Sequence, residues 1–149
     1  RLKWVETVWK RAGISTQAFA DIHQLVWEKF ICNVMCSAPC TAFECNIGEL
    51  FADPERRKVA LGCMLEAYHV GLAKGINFSF DDAVAYGTKF AALMPHANPS
   101  MRLDHFAGKK SEIDAINGMV PVLGTTMGIA TPYNDTLVAL VRRKEYQFT

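Results

Sequence analysis

Val26-Trp27-Glu28-Lys29-Phe30-Ile31-Cys32-Asn33-Val34-Met35-Cys36-Ser37-Ala38-Pro39 reads as a long helix with apolar side chains around most of its circumference. A helix of that kind is buried nearly all round. Lys29, Asn33 and Ser37 interrupt the apolar run at i, i+4 and i+8. Each step of four residues drifts only about 40°, so the three form one polar column. A lysine in such a helix is costly unless it is paired or faces a wet cleft. A buried ion pair and a side chain snorkelling to solvent are the structural alternatives. Desolvation in a cleft would make its ammonium a readier proton donor.

Working outward, helical periodicity dominates. Leu2, Val5, Val8 and Trp9 share one face of a first helix, which Gly13 ends. The helix around Lys29 should begin near Thr16 or Ala20 and stop at Ser37, before Pro39. Ile47 to Phe51 reads as a short turn. Asp53 caps a helix that Pro54 opens, with Leu61, Met64, Leu65, Tyr68 and Leu72 on one stripe and Gly75 at its end. Ser79 and Asp82 resemble a capping box for a helix reaching Leu93. A loop over His96 to Ser100 leads to a short helix from Met101 to Ala107. Ser111 should cap a helix carrying Ile113, Ile116, Val120, Leu123 and Met127, kinked at Pro121. Thr131-Pro132 opens the last helix, which ends in Arg142-Arg143-Lys144. The sum is roughly seven helices and no sheet, an all-α domain over residues 1–149.

The chain has 149 residues, with 16 Lys plus Arg against 15 Asp plus Glu. A net charge of +1 argues against a nucleic-acid partner. No apolar run approaches the roughly 20 residues that cross a bilayer. Five cysteines, an odd count, and no secretory signal point to a reducing, cytoplasmic compartment with free thiols. Their C-x3-C-x3-C-x4-C spacing fits neither a zinc ribbon nor a cluster-binding run, so no metal is expected. His23, His69, His96 and His105 lack ligand spacing, and most of them read as surface or capping residues. Trp4, Trp9 and Trp27 read as core. No Gly-rich dinucleotide or phosphate loop is present, and the first residue is Arg1. The chain therefore reads as a piece of a longer protein whose nucleotide-binding part lies elsewhere.

Several motifs at one spacing resemble a known family. Trp27-Glu28-Lys29-Phe30 with Asn33, Ile47-Gly48-Glu49-Leu50, and Glu66 through Gly75-Ile76 resemble ketopantoate reductase (2-dehydropantoate 2-reductase). So do Ser100-Met101 with Asp104, Ser111-Glu112-Ile113-Asp114 with Asn117-Gly118, and Thr131-Pro132-Tyr133-Asn134. The resemblance is to the C-terminal half. It implies an all-helical domain like the C-terminal domain of 6-phosphogluconate dehydrogenase, preceded by a Rossmann domain that binds NADPH.

The resemblance also implies roles. Lys29 would protonate the keto oxygen of a 2-keto acid substrate, and Glu112 would position substrate and lysine. Asn33, Ser37 and Ser100 would bind the substrate, Ser100 through its carboxylate. Ser37 and Ile47 stand where members of the family often carry asparagines, which leaves the choice of 2-keto acid open. A homodimer and inactivity of the isolated chain are further expectations. The alternatives are a reductase of a different 2-keto acid, or a non-catalytic helical interaction domain in which Lys29 is a paired charge. Asn117-Gly118 within a helix is unusual, since Gly costs about 1 kcal/mol there relative to Ala. Close backbone packing would excuse it.

Overall fold

The computed structural model describes residues 1–148. These residues form eight helices and no strand: α1 (Leu2–Arg11), α2 (Ile22–Ala42), α3 (Ile47–Ala52), α4 (Pro54–Ala73), α5 (Ala83–Leu93), α6 (Ser100–Phe106), α7 (Met119–Met127) and α8 (Pro132–Glu145). The all-α reading holds. Helices α2 and α4 are the central pair, and α3, α5, α6, α7 and α8 pack on one or both of them. Ile31, Val34 and Met35 of α2 and Met64, Ala67 and Val70 of α4 are fully buried between these layers. At Gly87 of α5 an added Cβ would come within 2.5 Å of the Met64 sulfur and 2.8 Å of the Met35 sulfur. A side chain there would have to push the two methionine ends aside.

The helix starts follow local chemistry. Asp21 caps α2 by accepting from the His23 and Gln24 N–H groups, and Asp53 caps α4 through those of Glu55 and Arg56. Gly13 and Gly75 take left-handed backbone just past α1 and α4.

Five local expectations need correction. Helix α2 begins at Ile22 and continues through Pro39 to Ala42 instead of stopping at Ser37. Ile47 to Ala52 is a helix, closed by a reciprocal capping box between Asn46 and Glu49, each bond 2.8 Å. Helix α5 starts at Ala83 with Asp82 as its cap; Ser79 instead donates its N–H to the Glu28 carboxylate at 2.7 Å. The helix expected from Ser111 is a series of turns over 112–118, because Gly118 N–H bonds the carbonyl of Ile113 five residues back and slips the ladder. Pro121 then falls in the first turn of α7, where no intrahelical N–H bond is lost and no kink is required.

Burial also departs from expectation at the amino end. Helix α1 has no buried residue, and Trp4 and Trp9 are 69% and 49% exposed rather than core. The first turns of α2 are open as well, with Val26 55% exposed. Among the described residues no helix is long and apolar enough to cross a membrane.

Candidate active site

Helix α2 carries the polar column from outside to inside. Lys29 is exposed, Asn33 half-buried and Ser37 buried at 4% exposure. At 1.5 Å per residue the column spans about 12 Å. The exposure of Lys29 removes the burial that would have desolvated its ammonium. It leaves the lysine at the surface end of a face that grows drier with each turn. Around it the helix is held firmly. Trp27 packs edge-on to Phe30 with ring centroids 5.3 Å apart and lies over Gly71 of α4. The Glu28 carboxylate accepts from Ser79 N–H and from the Gln24 amide, fastening α2 to the segment before α5. Beneath, Phe80 and Tyr86 stack at 3.9 Å beside Phe78 and Tyr68.

Ser100 is the exposed first residue of α6, a helix that packs on α2. Arg102, two residues in, fastens α6 by donating to the Glu44 carbonyl at 2.7 Å and to the Asn98 amide oxygen. Glu112 is exposed in the 112–118 turns. That segment is tied to α2 by the buried Asn117 amide, which bonds the backbone of Val34 and Ala38. Asn33 and Ser37 lie one residue before these two positions. The structure thus brings the 112–118 turns and α6 against the helix that carries Lys29, Asn33 and Ser37. It does not join the side chains directly: among the described residues no ion pair links Lys29 to Glu112. A groove of about 730 Å³ between α4 and the start of α8, lined by Leu61, Leu65, Pro132 and Tyr133, contains none of the five residues singled out.

Sequence reasoning passed over a buried polar relay behind this face. Asn117 donates to the Asn134 amide oxygen at 2.9 Å. Asn134 donates in turn to the Cys63 carbonyl and the Glu66 carboxylate. Glu66 also receives the N–H groups of Tyr133 and Asn134, capping α8 where its dipole favours an anion. Glu145, at the other end of α8, accepts from Ser111 N–H at 2.8 Å, Ser111 Oγ at 2.6 Å and His105 Nε2 at 3.0 Å. Its burial pushes its carboxyl up, but the Ser111 and His105 donors outweigh that and hold it below the ordinary carboxylate value. His105 is correspondingly a buried partner, its side chain 5% exposed, not a surface residue. In the sequence Glu66, Asn117 and Asn134 each fall within the motifs quoted above, but nothing local marks them as one buried network.

The five cysteines are all buried. Burial pushes the Cys32 and Cys36 thiols up to about 12, with Glu28 adding to the first and Cys32 to the second. Such thiols behave as small apolar side chains.

Residues 21–145 match the family described as Ketopantoate reductase PanE/ApbA C terminal. The chain belongs to that family. It is 33% identical over 136 residues to a 2-dehydropantoate 2-reductase of Streptococcus pyogenes, covering 91% of this chain and 44% of the relative. A 2-dehydropantoate 2-reductase of Archaeoglobus fulgidus is 32% identical over 143 residues, covering 95% and 47%. The chain therefore spans about half the length of these ketopantoate reductases. A crystal structure of a ketopantoate reductase from Ralstonia eutropha superposes with a TM-score of 0.89 at 28% identity, over 97% of this chain and 48% of that one. D-mandelate dehydrogenase in complex with NADH superposes with a TM-score of 0.87 at 25% identity, over 99% and 50%.

Proposed function

We propose that this chain is the substrate-binding half of a nicotinamide-dependent reductase that converts ketopantoate to pantoate. The observation that carries the reading is Lys29, an exposed ammonium heading a polar helix face in a domain of the ketopantoate reductase family. The NADH complex of the D-mandelate dehydrogenase neighbour supports a nicotinamide cofactor for proteins of this architecture. This chain carries no Gly-rich loop, and no strand among the described residues. The cofactor, NADPH in this reading, is bound mainly by an N-terminal Rossmann domain. The exposed apolar face of α1, with Trp4, Val8 and Trp9, supports a second domain that covers it.

A bound nicotinamide would supply the hydride for the carbonyl carbon of the substrate. Lys29 donates a proton to the keto oxygen, and its charge stabilises the alkoxide that develops there. Ser100 holds the substrate carboxylate, Asn33 and Ser37 line the substrate along α2, and Glu112 orients substrate and lysine. Closure of a second domain over Lys29 and Glu112, both exposed here, would exclude water and strengthen each of these contacts. This chain alone is accordingly inactive. A cytoplasmic homodimer completes the reading.

The decisive experiment follows NADPH oxidation by a full-length protein carrying this domain, with ketopantoate, beside its Lys29→Ala variant. The expected loss is about 100-fold or more, the size of a missing general acid. Equal turnover by both proteins overturns the role of Lys29. A second reading, reduction of a different 2-keto acid, is favoured by Ser37 and Ile47, which replace amides with smaller or apolar groups, and by the likeness to D-mandelate dehydrogenase. Cofactor binding without ketopantoate turnover selects that reading, and a panel of aryl and branched 2-keto acids then identifies the substrate.

A further inference from the structure

The turns that carry Glu112 end at a side chain bonded into the backbone of α2. Asn117 is fully buried. Its Nδ2 donates to the Val34 carbonyl at 2.9 Å, and its Oδ1 accepts from the Ala38 N–H at 3.3 Å. Val34 carbonyl and Ala38 N–H are the i and i+4 groups that an uninterrupted helix joins to each other. The amide therefore occupies the α2 ladder one residue before Pro39, which has no N–H of its own and crowds the carbonyl four residues back. Asn33 and Ser37 immediately precede the two backbone groups that Asn117 grips. The second Nδ2 hydrogen goes to Asn134, whose own amide is fully used by Cys63 and Glu66. Both donors of each amide are thus committed, and neither side chain can turn.

From this anchor to Glu112 the backbone is short and closed. The Glu112 carbonyl accepts from Ala115 and Ile116 N–H at 3.0 and 3.1 Å, and the Ile113 carbonyl accepts from Gly118 N–H at 2.8 Å. A Cβ at position 118 would come within 2.9 Å of Asp114 Cα and 3.1 Å of the Ile113 carbonyl oxygen. Glycine there is what lets the turns close. On the other side of Glu112, Ser111 is held twice by Glu145.

We propose that Asn117 is a positioning residue: its amide, inserted into the α2 backbone, sets the Glu112 segment in register with the Lys29–Asn33–Ser37 face. The inference rests on the reading of Glu112 and Lys29 given above. Its energetic role goes beyond holding the fold, because the same amide touches the substrate-lining helix and ends the turn that carries Glu112.

The test uses the full-length protein with its nicotinamide domain and compares Asn117→Ala, Glu112→Gln and the double variant in keto acid reduction. Asn117→Ala is expected to lower kcat/KM for the keto acid about 10- to 100-fold, the effect of misplacing a reacting group by about 1 Å. Its Kd for NADPH should change less than about twofold, since the cofactor is held elsewhere. In the Glu112→Gln background, Asn117→Ala should cost less than about threefold, because residues acting through one group are not additive. Losses that multiply in the double variant overturn the positioning role while leaving the assignment of Glu112 intact. Full activity of Glu112→Gln overturns both. Gly118→Ala keeps the amide and shifts only the turns, so it decides the matter should Asn117→Ala fail to fold. A comparable loss in keto acid kcat/KM is expected from it, and unchanged kinetics overturn the proposal.

Discussion

Glu66 and Glu145 show how this domain buries carboxylates. Glu66 has no ion pair among the described residues, yet three N–H donors from Tyr133 and Asn134 surround it at the start of α8. Glu66→Leu would leave those donors buried and unpaired, and should cost about 3 kcal/mol. Urea unfolding measures this through a lower midpoint at unchanged slope. Glu145 is tied to pH. Its folded carboxyl lies below its ordinary value of 4.5, so the unfolded chain binds that proton more readily. Its contribution is complete above pH 4.5 and is lost as the pH falls through the lower folded value. Glu145→Gln should therefore flatten the acid limb of the stability profile, as thermal melts from pH 6 down to pH 3 would reveal. The thiols make a third expectation. With Cys32 and Cys36 pushed up to about 12 and all five cysteines buried, a thiol reagent at pH 8 should label the folded protein far more slowly than the urea-unfolded chain.

At the scale of elements, local chemistry and long-range contacts divide the work. Helix α4 announces itself through Asp53-Pro54, because cap and N1 proline act within one turn of chain; α8 keeps only the N1 proline of Thr131-Pro132 as a local signal, since Thr131 makes no side-chain cap bond and Glu66 caps the helix instead. Asp53→Ala should cost about 1 kcal/mol and lower the melting temperature by about 2–4 °C, with Asp53→Asn close to neutral. Helix α2 is different. Pro39 is a stop signal by local rules, and it is overruled by Asn117, which is 78 positions further along and plugs the ladder beside it. No window of sequence around Pro39 contains that amide. The turns at 112–118 fail as a helix for a matching reason. Their apolar spacing is helical, but Gly118 and the grip of Asn117 on α2 draw the backbone into a tighter path. Helix α3 was legible in principle, since Asn46 and Glu49 stand at capping-box spacing, although only six residues follow the cap.

For the whole molecule the asymmetry of burial is the informative feature. Helices α2 to α8 share one core, whereas α1 buries nothing and shows two tryptophans to solvent. Residues 21–149 should therefore lose only the helical signal of α1 and melt within about 2 °C of the 149-residue chain, because surface segments contribute little to stability. A larger loss on circular dichroism melting would mean that α1 supports the core.

The sequence by itself determined the all-α class, the starts of α4 and α8 and the family, and it singled out Lys29, Asn33, Ser37, Ser100 and Glu112. Periodicity, caps and motif spacing are local, and each survives in a linear reading. Tertiary structure decided that Lys29 is exposed while Ser37 is buried, that α2 runs past its proline, and that the turns carrying Glu112 are tied to α2 by the buried Asn117 amide. These are outcomes of packing between segments tens of residues apart. A buried amide reveals its value only once the backbone groups it satisfies have been brought to it.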